Sequence, residues 1–171
     1  MKKILFLLLI FTGLSSCKCK KATAENGSSN KTVVLKDCWD NAKCALEISK
    51  DTMINVEKDG IGKLNLLFDA QSGMTSYHYI ASENQDEQYM DGGYREEIAF
   101  QLPSDFKDGT ISGKQFSETK AIFGVFCYCK EKAGYYTIKQ GTITKAGATI
   151  TVEIPVLVEG QKVRSIRFDV L

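Results

Sequence analysis

Four cysteines in the body of this chain are the residues with the widest chemical range. The sequence holds six cysteines, and Cys38, Cys44, Cys127 and Cys129 form two close pairs that lie far apart along the chain. Cysteine thiolates bind Zn²⁺ or Cu⁺, exchange disulfides with other thiols, or close into structural disulfides outside the cytoplasm. The spacings C-x5-C and C-x-C differ from the C-x2–4-C spacing typical of zinc sites, and this difference favours structural disulfides.

The four cysteines allow three complete pairings. On an extended strand the Cα atoms of Cys127 and Cys129 lie about 6.5–7 Å apart, which is the upper limit for a disulfide. We therefore expect two bridges that join the Cys38/Cys44 loop to the strand carrying Cys127 and Cys129. A local Cys38–Cys44 bridge with two free thiols is the alternative pairing. Metal binding or thiol exchange at the same four residues is the functional alternative.

The N-terminus has the organisation of a secretory signal. Lys2 and Lys3 precede an apolar run that ends in Leu14-Ser15-Ser16-Cys17, and the run is shorter than the roughly 20 apolar residues that span a bilayer. This ending resembles the lipobox of bacterial lipoproteins. The resemblance implies that residues 1–16 are a signal peptide, that cleavage occurs before Cys17, and that Cys17 carries a lipid on its sulfur and an acylated amino group.

Residues 17–31 predict a lipidated cysteine followed by a flexible tether rich in Lys, Ala, Thr, Asn, Gly and Ser. A flexible tether of about fourteen residues reaches about 20 Å. In the enterobacterial lipoprotein scheme, an aspartate after the lipidated cysteine retains the protein in the inner membrane. Here Lys18 occupies that position, so the resemblance implies the outer membrane, and the basic tether favours the leaflet facing the periplasm. Cys19 lies in the tether and is the expected unpaired thiol.

The charge balance gives no support to nucleic-acid binding. The formal net charge is +1, and removal of the signal peptide with Lys2 and Lys3 lowers it to −1. Nucleic-acid binding requires clustered Lys and Arg. We therefore expect the membrane, reached through the lipid, and an envelope protein as partners, with residues 32–171 forming one domain.

Apolar residues at every second position predict a chain of short strands in this domain. The segment 121–130 is apolar on both faces, which indicates a central strand buried on both sides. No segment has a convincing helical stripe. The pattern predicts an all-β fold, a mainly antiparallel β-sandwich or partly closed barrel of about nine to ten strands. The predicted strands cover residues 32–35, 44–49, 52–57, 64–68, 74–82, 95–102, 121–130, 135–144, 149–158 and 163–171. The least readable segment is 106–118, for which a further short strand at 110–116 is considered.

His78 is the only histidine and therefore the only residue on which a His-dependent catalytic triad could be built. It lies between Tyr77 and Tyr79 in a strand pattern, and no G-x-S-x-G elbow is present. We therefore expect a half-buried, hydrogen-bonded strand histidine. The sequence predicts no catalytic residue.

Carboxylates are concentrated between the fifth and sixth predicted strands. Glu83, Asp86, Glu87 and Asp91 offer oxygen ligands for Ca²⁺, but their spacing does not match the EF-hand loop. A solvated acidic loop is the favoured interpretation. The run 95–97, Arg-Glu-Glu, is expected to face solvent or to form cross-strand pairs.

Trp39 lies within the Cys38/Cys44 loop, where it is predicted either to cover the edge of the sandwich or to act as an aromatic anchor at an interface. It is the binding candidate. With no catalytic constellation, cofactor motif or metal-ligand set in the sequence, we expect a non-enzymatic binding or structural module on a lipid anchor. The alternative is a thiol-dependent metal-binding or redox protein that uses Cys38, Cys44, Cys127 and Cys129.

Overall fold

The computed structural model describes residues 33–83 and 93–170. The predictions for the signal peptide, Cys17, Cys19 and the tether concern residues outside these ranges. In the described part, ten strands form two antiparallel sheets of five strands each. The all-β prediction is confirmed, and the architecture is that of a β-sandwich.

The strands are numbered in the order in which they occur along the chain. They are β1 (Val33–Leu35), β2 (Ala42–Lys58), β3 (Leu64–Glu83), β4 (Arg95–Pro103), β5 (Gly109–Ser112), β6 (Ile122–Phe126), β7 (Gly134–Thr137), β8 (Thr142–Ala146), β9 (Thr149–Glu153) and β10 (Ser165–Val170). Sheet A has the order β1-β10-β9-β8-β5, and sheet B has the order β2-β3-β4-β6-β7. Between β5 and β6 lie a four-residue helix α1 (Gly113–Phe116) and a 3-10 helix (Ser117–Thr119). No helix in the described ranges is long and apolar enough to cross a membrane.

The main core lies between the inner faces of the two sheets. Tyr77 of β3 stacks on Phe100 of β4 at 4.8 Å between ring centroids, and it also meets Phe168 of sheet A at 5.8 Å. The prediction that β6 is buried on both faces is confirmed, because Phe123 packs in this main core while Ile122 packs in a second cluster on the outer face of sheet B.

The second cluster exists because β2 and β3 form one long hairpin with a corner. Lys50 pairs with Thr75 and Thr52 pairs with Ala70, which leaves one residue of β2 and four residues of β3 between the two pairs. At this corner Asp51 has φ 51°, and the Gly73 amide donates to Asp51 Oδ1 at 3.2 Å. The segment 69–73, left between the predicted strands 64–68 and 74–82, is therefore part of a corner inside β3. We call residues 52–70, beyond the corner, the arm.

The arm folds back across the outer face of sheet B. Phe68 of the arm lies 5.5 Å from the His78 ring, although the two residues belong to the same strand. Ile54, fully buried, packs with Ala99 and Ile122. Its amide donates to Gln101 Oε1 at 2.7 Å, and its carbonyl accepts from Lys120 Nζ at 2.9 Å. Side chains of the sandwich thus satisfy both backbone polar groups of the most deeply buried arm residue.

Other predicted boundaries also differ from the observed ones. β6 ends at Phe126 rather than Lys130, and the segment 110–116, considered as a short strand, is β5 followed by α1. The predicted strand 135–144 is two strands, β7 in sheet B and β8 in sheet A. Gly141 lies at this crossing, where an added Cβ would stand 2.6 Å from the Phe116 ring and 2.7 Å from the Glu153 carbonyl. The chain passes there because Gly141 has no side chain.

Substitution of Gly124 tests how closely the second cluster, around Ile54, Ala99 and Ile122, is packed. A Cβ at this position would lie 2.7 Å from the Tyr135 ring and 2.9 Å from the Phe126 ring. We expect Gly124→Ala to lower the free energy of unfolding by about 1–3 kcal/mol through overpacking, measured by urea denaturation. The control is Gly60→Ala, since a Cβ at Gly60 meets nothing within 4 Å. Equal stability of the two variants would contradict this account of β6.

Candidate functional site

The four cysteines form two local disulfides. Cys38 pairs with Cys44 at a Cα separation of 6.0 Å, and Cys127 pairs with Cys129 at 5.1 Å. The expected cross-bridges between the two regions are therefore wrong. The prediction assumed that Cys127 and Cys129 lie in an extended strand, whereas β6 ends at Phe126 and the chain bends through the cysteines, which shortens their separation.

The strand register explains why the two pairs stay apart. Lys43 pairs with Ser82, Ser82 with Arg95, and Arg95 with Phe126. Three strand spacings of 4.7–4.9 Å separate Lys43 from Phe126 by roughly 14 Å, whereas disulfides need Cα atoms within about 7 Å. Both pairs lie at the same end of sheet B, which we call the cysteine end. One site that uses all four sulfurs is not formed there.

The Cys38–Cys44 bridge fixes the connection between the two sheets. The Tyr79 hydroxyl lies 3.1 Å from Cys44 Sγ and 3.3 Å from the Asp37 carbonyl oxygen. Burial, together with the charges of Asp37 and Glu96, raises the pKa of Tyr79 to about 12, so its hydroxyl stays protonated as a donor. The Cys38/Cys44 loop is therefore held against the main core.

Trp39 lies partly buried against the main core. Its ring meets Tyr94 edge to face at 6.3 Å, and Lys162 Nζ lies 5.3 Å from its centroid. Its indole nitrogen is buried and has no hydrogen-bond partner among the described residues. This geometry matches the covering role for Trp39 rather than that of a projecting anchor.

Glu96 is buried between the sheets and bonds to a segment outside its own sheet, so the expectation that it faces solvent or forms a cross-strand pair is wrong. Its carboxylate accepts from the Lys162 amide at 2.8 Å and from the Val163 amide at 2.6 Å. The Tyr94 hydroxyl also donates to it. Burial and this hydrogen bond raise the pKa of Tyr94. β4 of sheet B is thereby bonded to the segment that leads into β10 of sheet A.

Glu97 points to the opposite face of β4 and is also buried, beneath the arm. It accepts from the Tyr135 hydroxyl at 2.8 Å, contacts His78 Nε2 at 3.0 Å and pairs with Arg95 at 2.8 Å. His78 is therefore a half-buried, hydrogen-bonded strand histidine, as predicted. Burial alone would raise the Glu97 pKa, but the His78 and Tyr135 hydrogen bonds and the charges of His78 and Arg95 hold it below its usual value of 4.5.

The turn that carries Cys127 and Cys129 presents Tyr128 to solvent. Tyr128 is 97% exposed, the highest exposure among the large apolar side chains described. The bridge holds both of its neighbours, and the turn is further fixed by the Tyr136 hydroxyl, which donates to the Lys132 carbonyl at 2.7 Å. The sequence did not distinguish Tyr128 from the six other tyrosines, because Tyr128 follows Phe126 by two residues in a segment predicted as a strand.

No group of three or more His, Cys, Asp or Glu side chains that could hold a metal ion occurs within 33–83 and 93–170. Of the carboxylates considered as Ca²⁺ ligands, Glu83 forms an ion pair with Lys162. Asp86, Glu87 and Asp91 lie outside the described residues.

Glu97→Gln tests the charge cluster beneath the arm. The folded state holds the Glu97 pKa below 4.5, so its carboxylate adds stability that is present above about pH 4.5 and is lost as pH falls through the folded pKa. We expect Glu97→Gln to be less stable by about 1–3 kcal/mol at pH 7, with the difference shrinking in acid. Urea denaturation from pH 2 to 7 measures both profiles, with exposed Glu118→Gln as control. Parallel profiles of the wild type and Glu97→Gln would contradict the assignment.

The cysteine end brings together the two bridges, Trp39 and the exposed Tyr128. Comparisons of the chain with protein-family models, with curated proteins and with solved structures find no match. The function is therefore inferred from the chemistry and placement of these side chains.

Proposed function

We propose that this chain is a lipid-anchored protein of the bacterial envelope whose β-sandwich binds another envelope protein without catalysing a reaction. The lipid on Cys17 holds it at the outer membrane, on the side facing the periplasm, and the tether carries the domain. The observation that carries the binding proposal is Tyr128, an almost fully exposed aromatic side chain on a cross-linked turn.

Two features of Tyr128 support a binding role. Tyrosine is enriched among the residues that dominate binding energy, because its ring buries a large area at a low cost in conformational entropy. The bridge on both sides of Tyr128 restricts the turn before binding, which lowers the entropy lost when a complex forms. The structure thus favours Tyr128 over Trp39 as the anchor, because the Trp39 ring is packed against the main core.

The lipid anchor is tested by metabolic labelling with an alkyne fatty acid, followed by membrane fractionation. We expect Cys17→Ser to lose the label and to leave the membrane fraction, because the thioether and the cleavage site both need Cys17. Cys19→Ser is the matched control, two residues along the same tether, and should keep label and location. Labelling that persists in Cys17→Ser would contradict the lipoprotein assignment.

The binding surface is tested by cross-linking and pull-down of the anchored protein from envelopes. We expect Tyr128→Ala to weaken recovery of a partner by about thirtyfold, the effect of losing a hot spot of about 2 kcal/mol. Ile61→Ala is the control, because Ile61 is 80% exposed and lies in the connection between β2 and β3, outside the disulfide-linked turn. No partner from the wild type under cross-linking, or equal recovery with Tyr128→Ala, would contradict the proposal.

Thiol chemistry is the second candidate function, and one observation favours it. The Cys127–Cys129 bridge lies in a surface turn outside the sheets. A metal site built from Cys38, Cys44, Cys127 and Cys129 together has no such support, since strand register separates the two pairs.

A further inference from the structure

We infer that Cys127–Cys129 is an exchangeable disulfide that oxidises a pair of thiols on the bound partner once per molecule, as a reactant and not as a catalyst, whereas Cys38–Cys44 is a structural bridge. The inference rests on the proposed binding at the Tyr128 turn and names the chemistry performed there. It assigns different roles to two bridges that look equivalent in the sequence.

The position of the turn makes its sulfurs accessible. β6 ends at Phe126, and Cys127 and Cys129 are each partly exposed on either side of the fully exposed Tyr128. Cys127 packs against the main core, whereas Cys129 is not part of that packing. An incoming thiolate therefore meets the sulfur of Cys129 first.

The size of the closed loop separates the two bridges in another way. Cys127–Cys129 encloses a single residue, so it restricts the unfolded chain very little, and its opening disconnects no element of the fold. Cys38–Cys44 joins the start of β2 to the loop that carries Trp39, and Tyr79 contacts its sulfur. Opening that bridge disturbs the packed edge of the main core. Exposure alone does not separate the two bridges, because Cys38 is exposed while Cys127 and Cys129 are each partly exposed. The bridge that contributes least to stability is the one expected to exchange more readily.

The exchange is balanced in atoms and electrons. A partner thiolate attacks Cys129 Sγ, the Cys127–Cys129 bond breaks, and Cys127 leaves as a thiolate. A second partner thiolate attacks the partner sulfur of the mixed disulfide, and Cys129 leaves as a thiolate. The partner is oxidised by two electrons to a disulfide, the two cysteines of the turn are reduced by two electrons, and the two partner protons pass to solvent or to the new thiolates.

Differential reduction of the native protein tests the assignment. The oxidised mature protein is incubated with graded dithiothreitol, quenched, alkylated and digested with trypsin. The tryptic peptide 121–130 contains both Cys127 and Cys129, whereas Cys38 and Cys44 fall in separate peptides. We expect alkylation of peptide 121–130 at about tenfold less reductant than alkylation at Cys38 and Cys44, with an unchanged circular dichroism spectrum.

Variants that keep one cysteine of the turn test the direction of attack, each made together with Cys19→Ser and with Cys38–Cys44 left oxidised. Cys127→Ser, which retains Cys129 as a thiol, should capture a disulfide-containing peptide as a stable mixed disulfide, and Cys129→Ser should capture it more slowly. Equal resistance of both bridges, or reduction of Cys127–Cys129 only on unfolding, would overturn the inference. Loss of partner recovery in Tyr128→Ala bears on binding alone, so the two proposals fail by different measurements.

Discussion

The buried carboxylate of Glu96 is the interaction on which the assembly of the sandwich depends. Burying a carboxylate without hydrogen-bond donors costs several kcal/mol in an apolar interior, so its oxygens must accept hydrogen bonds. The amides of Lys162 and Val163 and the Tyr94 hydroxyl donate to them. These donors fix the approach to β10 over β4 and bring the Lys162 ammonium over Tyr94, at 4.7 Å, and over Trp39. The packing of the cysteine end therefore follows from one polar contact between the sheets.

Alternation of apolar residues was sufficient to predict the fold class, because most strands have one face in the core. It also predicted the double burial of β6. Alternation failed where one local sequence is compatible with two structures. The polar, glycine-containing segment 69–73 is compatible with a turn between strands, yet it forms a corner within β3. The split of segment 135–144 between sheets was likewise hidden, because Gly141 is required by Phe116 and Glu153, which are distant in sequence.

Among the site residues, too, alternation predicts the placement of some side chains and not of others. Glu96 has the same parity in β4 as Ile98 and Phe100, so the alternation itself contained the signal that this carboxylate faces the core. Glu97 has the opposite parity, and it is buried among His78, Tyr135 and Arg95, which come from three different strands and which strand alternation does not bring together. The cysteine pairing differs from the prediction because residues 126–129, Phe-Cys-Tyr-Cys, continue the apolar run of β6 with no residue that marks its end.

The corner at Asp51 has a consequence for how the protein avoids self-association. β2 is an edge strand of sheet B, and a straight edge of its length would offer a long row of free amides and carbonyls to a neighbouring molecule. The corner cuts that row short, and beyond it the free groups of Ile54 are bonded to Gln101 and Lys120. At the other end, the Ala42 amide donates to Trp39 within the disulfide loop. The row of unpaired backbone groups that β2 offers to another strand is therefore short. A short row is a poor template for cross-β aggregation.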